Sequence, residues 1–122
     1  MTSTTYEKTW EIYTQSWSEM DAIKRLELFG HCLTNNCVYT DPLIQTTGYE
    51  KLSEYMSELQ RNVLGVSFVT TDFKSHHEHS LAHWTMLDGN GNTLLQGASY
   101  GHYGLDGRLT QMTGFYEPPN AS

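Results

Sequence analysis

The first part of the chain repeats apolar residues with the period of an α-helix. A capping-box signature, Thr4-x-x-Glu7, precedes this repeat. Steps of three and four residues place four large side chains on one helical face: Trp10, Tyr13, Trp17 and Met20. The pattern therefore predicts a first helix with one buried, mainly aromatic face.

A second box, Ser18-x-x-Asp21, predicts that the helix bends or restarts there. Gly30 and the run Thr34-Asn35-Asn36 are suited to the end of this second segment. A short extended segment at 37–40 follows and stops at Asp41-Pro42, because proline disfavours a helical residue before it. The apolar side of the second segment is predicted to consist of Ile23, Leu26, Phe29 and Leu33.

A third box, Thr47-x-x-Glu50, introduces the most regular helical pattern in the chain. Its apolar positions follow the spacing i, i+3, i+4, i+7 and i+11: Leu52, Tyr55, Met56, Leu59 and Val63. Gly65 is predicted to end this helix.

After Gly65 the apolar period changes to two, which is typical of β-strands. The pattern starts at Val66, Phe68 and Thr70 and continues in a long predicted strand at 75–87. In that strand one face carries Ala82, Trp84 and Met86, and the other carries Leu81, His83 and Thr85.

Two glycine-containing turns, at 88–91 and 104–107, predict two hairpins. They connect the long strand to Thr93–Tyr103 and then to Arg108–Tyr116, so three consecutive strands form a meander. Helices followed by strands predict an α+β fold with the helices packed on one face of the sheet. At 122 residues the chain is expected to form one domain, 1–122, with a core at about 6–117 and a flexible tail at 118–122.

Charge and composition restrict the classes of partner. Seven Lys and Arg against fourteen Asp and Glu give a net charge of -7, which opposes binding to nucleic acid and to anionic lipid. The sequence shows neither an apolar run of membrane-spanning length nor a signal peptide, so we expect a cytoplasmic protein with no membrane partner. Cys32 and Cys37 fit neither a C-x-x-C redox motif nor a four-ligand zinc site, and are expected to be free thiols.

Aromatic residues make up 12% of the chain, as eight Tyr, four Phe and three Trp. Tyrosine and tryptophan combine a large apolar body with one polar group, which suits a core that also lines a partly polar cavity.

Several short motifs occur in an order that resembles a known family: Tyr39-Thr-Asp-Pro42, Gly48, His83-Trp84-x-Met86, Gly97 and Asp106-Gly-Arg-Leu109 followed by Gly114-Phe115. Over about residues 6–117 the chain resembles the SnoaL-like branch of the nuclear-transport-factor-two-like superfamily. That resemblance implies a cone, in which helices close a strongly curved antiparallel sheet around an internal pocket near the Asp-Pro corner. The superfamily contains isomerases, polyketide cyclases, dehydratases, epoxide hydrolases and non-catalytic binding modules, so the fold alone assigns no activity.

Asp41 is the first candidate for chemistry. The resemblance to ketosteroid isomerases implies that the aspartate of the Asp-Pro corner is a base that moves a proton between carbons. An aromatic pocket would desolvate such a carboxylate and make it a better base. The alternative is structural, since an aspartate before proline also accepts backbone hydrogen bonds in a turn.

Tyr13 and Ser99 are the other catalytic candidates. The same resemblance implies a tyrosine hydroxyl on the first helix that stabilises an oxyanion, and Tyr13 is the nearest match by position. The isomerases also carry a protonated aspartate on the strand before the last, where Ser99 falls closest here. In the alternative interpretation, Tyr13 is a core residue.

Two other branches of the superfamily match less well. The cyclases pair a histidine with an aspartate on late strands, and His102 is present, but Arg108–Tyr116 contains no carboxylate. The epoxide hydrolases place an arginine between two aspartates, whereas no arginine occurs between Arg61 and Arg108.

The histidine cluster at His76–His83 suggests a metal hypothesis. His77, His79 and His83 share a parity on the predicted long strand, and an H-x-H pair can chelate an ion. No acidic or cysteine ligand is placed to complete the shell, so a solvated strand end or a dimer surface is the favoured interpretation. We expect neither a metal nor a cofactor.

Three functional hypotheses follow. The first is a cofactor-independent isomerase, cyclase or lyase that moves a proton next to a carbonyl in a hydrophobic substrate; the second is a non-catalytic binding module for a small apolar or aromatic metabolite. In the third, side chains fill the pocket themselves: Trp17, Tyr55, Trp84 and Met112. A homodimer through the outer sheet face is expected. The predicted ligand-binding residues are Trp17, Tyr55, Met56, Phe68, Trp84, Met86, Met112 and Phe115.

Overall fold

The structure, a computed structural model, describes the backbone of residues 2–118 and the side chains of residues 5–118. Residues 119–122 of the predicted flexible tail lie outside the described residues. Within the described part, helices and strands follow one another in the order α1 (Thr2–Ser16), α2 (Ala22–Cys32), β1 (Leu33–Asp41), β2 (Ile44–Thr47), α3 (Tyr49–Asn62), β3 (Ser67–His76), β4 (His79–Leu87), β5 (Thr93–Tyr103) and β6 (Leu109–Phe115).

The strands form one sheet in the order β2-β1-β6-β5-β4-β3. The predicted meander is present as β4, β5 and β6, which pair antiparallel. Strand β1 pairs with β6 in parallel, with Thr40 opposite Thr113, and the other pairings are antiparallel. The predicted α+β class is therefore confirmed, in a sheet that is antiparallel except for this one pair.

The core lies between the helices and one face of the sheet. All three helices and the central strands contribute buried side chains to it: Trp10, Tyr13, Phe29, Cys32, Leu52, Met56, Tyr103, Leu109 and Met112. None of the helices within residues 2–118 combines the length and the apolar character that a membrane crossing requires.

The helices begin at different residues from those that the capping boxes predict. Helix α1 already starts at Thr2, before the Thr4 box. Helix α2 is capped by Asp21 and not by Ser18, because Oδ1 of Asp21 accepts the N–H groups of Ile23 and Lys24. Helix α3 starts after Gly48, whose φ of 89° suits glycine, and has no side-chain cap, so the Thr47 box was wrong.

The buried face of α2 also differs from the predicted one. Residues Arg25, Phe29 and Cys32 are buried, at spacing i, i+4 and i+7, whereas Ile23 and Leu26 are exposed. The predicted fourth member of the face, Leu33, is buried as the first residue of β1, so the helix ends before Thr34-Asn35-Asn36 and these residues belong to the strand. The hydrophobic pattern missed this face because it counts an arginine as a solvent-facing residue.

Arg25 can be buried because its guanidinium finds acceptors in every direction. Its nitrogens donate to the carbonyl oxygens of Glu19 and Ser53, the hydroxyls of Ser53 and Ser57, and Oε1 of Gln60. Burial lowers the pKa of this guanidinium from its ordinary value. The amide of Gln60 continues the network by donating to the carbonyl oxygen of Trp17, at 2.8 Å.

The histidine-rich segment forms a turn instead of the middle of a strand. The predicted long strand at 75–87 is two strands, with His77 and Glu78 in the turn between them and His76 paired with His79. His77 adopts a left-handed φ of 52°. His79 and His83 both lie on β4, but His77 is in the turn, so the predicted H-x-H pair of His77 and His79 does not lie on one strand.

Candidate functional site

A cavity of about 340 Å³ lies between the helices and the inner face of the sheet. Most of its wall is aromatic. The helical side and the residue after α1 contribute Trp10, Tyr13, Trp17 and Tyr55. The sheet and the residue after β6 contribute Tyr39, Phe68, Trp84 and Tyr116.

Trp17 lies at the centre of this aromatic wall. Its ring centroid is 5.5 Å from Tyr39, 5.6 Å from Phe68 and 6.1 Å from Tyr55, and each pair of rings is steeply inclined. Such tilted and edge-on pairs are the favoured geometry of aromatic side chains. Because Gln60 holds the carbonyl oxygen of Trp17, the buried Arg25 network also fixes the position of this wall.

Asp41 is the last residue of β1 and lines the cavity with 7% of its surface exposed. Its Oδ1 accepts the N–H groups of Leu43, at 2.8 Å, and Ile44, at 3.1 Å. Its Oδ2 accepts the hydroxyls of Tyr39, at 2.6 Å, and Tyr55, at 2.8 Å. The carboxylate thus receives four hydrogen bonds, which is about its full acceptor capacity.

This geometry combines features of both sequence hypotheses for Asp41. The carboxylate faces the cavity with hydroxyls in reach, as expected for a base, and it is also bound by the backbone of the Asp-Pro corner, as expected for a structural residue. No Lys, Arg or His in the described chain lies within ion-pair distance of it, since the ion pairs found there involve Asp72 and Asp106.

The tyrosines around Asp41 remain protonated far into the alkaline range. Burial is the main cause that raises the pKa of Tyr39, Tyr55 and Tyr116, and the neighbouring Asp41 charge raises each further. For Tyr116 the pKa reaches about 12. Neutral phenols are hydrogen-bond donors, so the raised pKa values are consistent with hydroxyls that donate to Asp41.

The structure brings the other two catalytic candidates to the same cavity. Tyr13 is buried, its pKa is raised by burial, and its hydroxyl interacts with the Trp17 side chain. Oγ of Ser99 accepts the indole N–H of Trp84 at 2.9 Å. Gly114 lies between Ser99 and Asp41, because a Cβ built on it would be 3.5 Å from Oγ of Ser99 and 3.8 Å from Cβ of Asp41.

The eight predicted ligand-binding residues divide into two groups. Five line the cavity, namely Trp17, Tyr55, Phe68, Trp84 and Met86. Met56 and Met112 are buried in the core without lining it, and Phe115 is 61% exposed. Successive strand residues face opposite sides, so Gly114 and Tyr116 face the cavity and Phe115 faces away.

The third hypothesis, in which side chains fill the pocket, was wrong. The cavity stays open although Trp17, Tyr55 and Trp84 line it, and Met112 lies outside its wall. Sequence reasoning missed Tyr39 and Tyr116 as cavity residues. The signal existed, since Tyr39 and Asp41 are two residues apart on one strand and therefore share a face.

Four of the six histidines form a separate cluster at the β3–β4 turn: His76, His77, His79 and His102. His79 bonds the hydroxyl of Tyr100 at 2.6 Å, and Nδ1 of His102 bonds Thr110 at 2.9 Å instead of a carboxylate. Among the described side chains, no three His, Cys, Asp or Glu residues converge in a way that could hold a metal ion.

The chain is similar to solved structures in its fold, although its sequence matches no known family. No protein-family model matches the chain, and no curated protein matches it. A SnoaL-like family protein from Agrobacterium tumefaciens, for which an isomerase activity is suggested, superposes with a TM-score of 0.86 at 22% identity, over 94% of this chain and 99% of that one.

Two further solved structures carry different suggested chemistry. A SnoaL-like protein from Jannaschia, suggested to be a polyketide cyclase, has a TM-score of 0.76 at 12% identity over 94% of this chain and 87% of that one. An LEH-like epoxide hydrolase of M. tuberculosis has a TM-score of 0.70 at 12% identity over 94% and 84%. At these identities the likeness shows the fold, and it confirms the resemblance to SnoaL-like cone structures.

The raised pKa values predict a specific pH dependence of stability. The unfolded chain releases tyrosine protons near pH 10, while the native state keeps those of Tyr39, Tyr55 and Tyr116. Above about pH 10 the native state binds more protons than the unfolded chain, so stability falls as the pH rises. The stabilisation is therefore fully present below pH 10 and is lost as the pH rises towards 12. Urea unfolding between pH 8 and pH 11 should show falling stability at the alkaline end. Constant stability across that range would contradict the assignment.

Proposed function

We propose that this chain binds one small, mainly apolar molecule in the aromatic cavity. The observation that carries the proposal is an open cavity of about 340 Å³ walled by aromatic rings. Its polar side chains are fewer than its apolar ones, and two of them, Asp41 and Ser99, lie on either side of Gly114. Small-molecule sites typically have volumes of about 300–1,000 Å³, apolar walls and a few fixed polar groups.

The hydrogen bonds of Asp41 favour binding over proton transfer as its main role. A general base needs a free lone pair within reach of the substrate proton. Both oxygens of Asp41 already accept two hydrogen bonds, from Leu43 and Ile44 and from Tyr39 and Tyr55. In this arrangement Asp41 is a fixed acceptor that orients the two tyrosines at the cavity wall.

Gly114→Ala is predicted to weaken ligand binding without harming the fold. The added methyl would project between Asp41 and Ser99 at ordinary van der Waals distances. Indole, a neutral aromatic probe, is expected to bind the wild type and to lose roughly tenfold in affinity, the usual effect of one misplaced carbon in a pocket. Isothermal titration measures the affinity.

Gly30→Ala is the matched control, since it makes the same chemical change in α2, where a Cβ would meet nothing within 4 Å. It should leave indole affinity unchanged and raise stability by about 0.5–1 kcal/mol, as alanine does in a helix. Equal indole affinity in the Gly114 variant and the wild type would contradict the proposed location of the site.

A second candidate function is cofactor-independent proton transfer next to a carbonyl. It is supported by the fact that Asp41, Tyr13 and Ser99 line one cavity, and a SnoaL-like neighbour carries a suggested isomerase activity. In this mechanism the Tyr55 hydroxyl first moves away from Oδ2 of Asp41. The freed lone pair takes the proton of the C–H bond, and the electron pair moves to the carbonyl oxygen, where the Tyr13 hydroxyl donates to the enolate.

Hydrogen–deuterium exchange tests this second candidate without knowledge of the natural substrate. In D₂O, 2-tetralone should exchange its acidic C–H protons faster with the wild type than in buffer, and Asp41→Asn should abolish the difference. If wild type and buffer give equal rates, proton transfer is eliminated for this carbonyl probe and binding remains.

We also propose a homodimer through the outer sheet face. Leu81 and His83 are exposed there, because their neighbour Ala82 faces the core. A mixed apolar and polar stripe of this kind suits a partner surface. Sedimentation at micromolar concentration is expected to give twice the mass of the chain, and a single-chain particle would contradict the proposal.

A further inference from the structure

We propose that the ligand of the cavity is a cation, an organic ammonium group attached to an apolar body. This inference rests on the proposed small-molecule function and specifies its chemical class. Its basis is the group formed by Asp41, Tyr39 and Tyr55, which we call the carboxylate end of the cavity.

Asp41, Tyr39 and Tyr55 offer acceptors and no free protons to a ligand, and the neighbouring Tyr116 hydroxyl interacts with Asp41 and Tyr55. Each phenol has a single O–H proton, and those of Tyr39 and Tyr55 are both donated to Oδ2 of Asp41. What these hydroxyls present to a ligand is their remaining lone pairs. A ligand group that sits beside them must therefore donate hydrogen bonds, as an ammonium does and a carbonyl or carboxylate does not.

The charge of this end is not neutralised by any basic side chain. The donors to Asp41 are neutral amides and phenols, and no Lys, Arg or His of the described chain lines the cavity. A second carboxylate, Glu58 on α3, lies at the wall and is exposed. Field lines are focused in a cleft that carries charge of one sign, which attracts a ligand of the opposite sign.

The aromatic wall adds a second attraction for a cation. The rings of Tyr39, Tyr55 and Phe68 surround Trp17 with centroids 5.5 to 6.1 Å away. Ring faces attract a cation within about 6 Å of the centroid, and a desolvated site strengthens that attraction. The rings of Tyr39 and Tyr55, whose hydroxyls contact the buried carboxylate, therefore complement an ammonium group, and the remaining wall complements its apolar body.

Three indole derivatives of similar size differ in charge, so a comparison of their affinities isolates the effect of charge on binding. Tryptamine carries an ammonium, tryptophol a hydroxyl and indole-3-acetate a carboxylate on the same ring. Titration of the wild type at pH 7.5 is expected to give tryptamine roughly tenfold tighter binding than tryptophol. Indole-3-acetate is expected to bind most weakly. Added salt should weaken the binding of tryptamine and leave the affinity for tryptophol unchanged.

Glu58→Gln removes one carboxylate from the wall while leaving Asp41 and the rings in place. It should lower tryptamine affinity by roughly two- to fivefold, as expected for one partly screened charge, and should not change tryptophol affinity. Glu54→Gln is the matched control, because Glu54 is an exposed residue one turn earlier on α3 and does not line the cavity.

The outcomes distinguish this inference from the proposed function. If tryptophol binds as tightly as tryptamine or more tightly, the inference of a cationic ligand is overturned while small-molecule binding stands. If none of the three probes binds to folded protein, the proposed function fails as well.

Discussion

Arg25→Ala is expected to lower the free energy of unfolding by about 3–5 kcal/mol, because it removes a large buried side chain and the shared donor of several buried acceptors. Arg25 is fully buried on α2 and donates to acceptors on α3 and in the segment between α1 and α2. Alanine leaves a void and also leaves buried acceptors at Ser53 and Gln60 without their donor, each at a cost of about 1–3 kcal/mol. Urea unfolding monitored by tryptophan fluorescence measures the loss.

Arg61→Ala is the control for this prediction, because Arg61 is exposed on α3. Its substitution should change stability by less than about 0.5 kcal/mol. The Arg25 network also holds the carbonyl oxygen of Trp17 through Gln60, so Arg25→Ala should weaken indole binding in protein that remains folded. A stability loss below about 1 kcal/mol would show that the network is not required.

Asp41→Asn is expected to lower the free energy of unfolding by about 1–2 kcal/mol, the effect of weakening buried hydrogen bonds to a charged group. One amide oxygen can still accept the N–H groups of Leu43 and Ile44. The amide nitrogen, however, donates hydrogen bonds, and it would meet Tyr39 and Tyr55 hydroxyls that also donate in the wild type. Both hydroxyls must then reorient or remain unpaired.

The structure reverses the effect on stability that the sequence predicts for Asp41→Asn. From the sequence, a carboxylate that faces an apolar cavity predicts an asparagine variant as stable as the wild type or more stable. The four donors around Asp41 compensate its burial, so the carboxylate stabilises the fold. Asp88→Asn is a useful control, since Asp88 also accepts backbone N–H groups but is less buried than Asp41, and its substitution should lower stability less. Unchanged or increased stability of Asp41→Asn would restore the sequence hypothesis.

Much of the fold could be predicted from the sequence because it depends on local periodicity. The third helix and the meander follow from spacing and turn residues, and β5 has the predicted bounds Thr93–Tyr103. Strand β2 was missed because it has four residues at the sheet edge. The β3–β4 hairpin was missed because its turn, at His77 and Glu78, contains neither glycine nor proline.

The candidate site could be predicted only in part. The Asp-Pro corner pointed to Asp41, and helical spacing brought Tyr13, Trp17 and Tyr55 inside. The spacing of Tyr39 and Asp41 on one strand indicated that they share a face, but the contact with Tyr55 was not predictable from spacing, since Tyr55 reaches Asp41 from α3. A hydrophobic pattern does not predict a buried arginine either, because its burial depends on acceptors contributed by another segment of the chain.

A crystal structure of the complex with indole tests the central claim most directly, that the aromatic cavity beside Asp41 is the ligand site. The predicted result is an indole ring among Trp17, Phe68 and Trp84, with its N–H directed to the acceptors of the carboxylate end. An empty cavity with indole bound elsewhere on the protein, or with no bound indole, would contradict the claim.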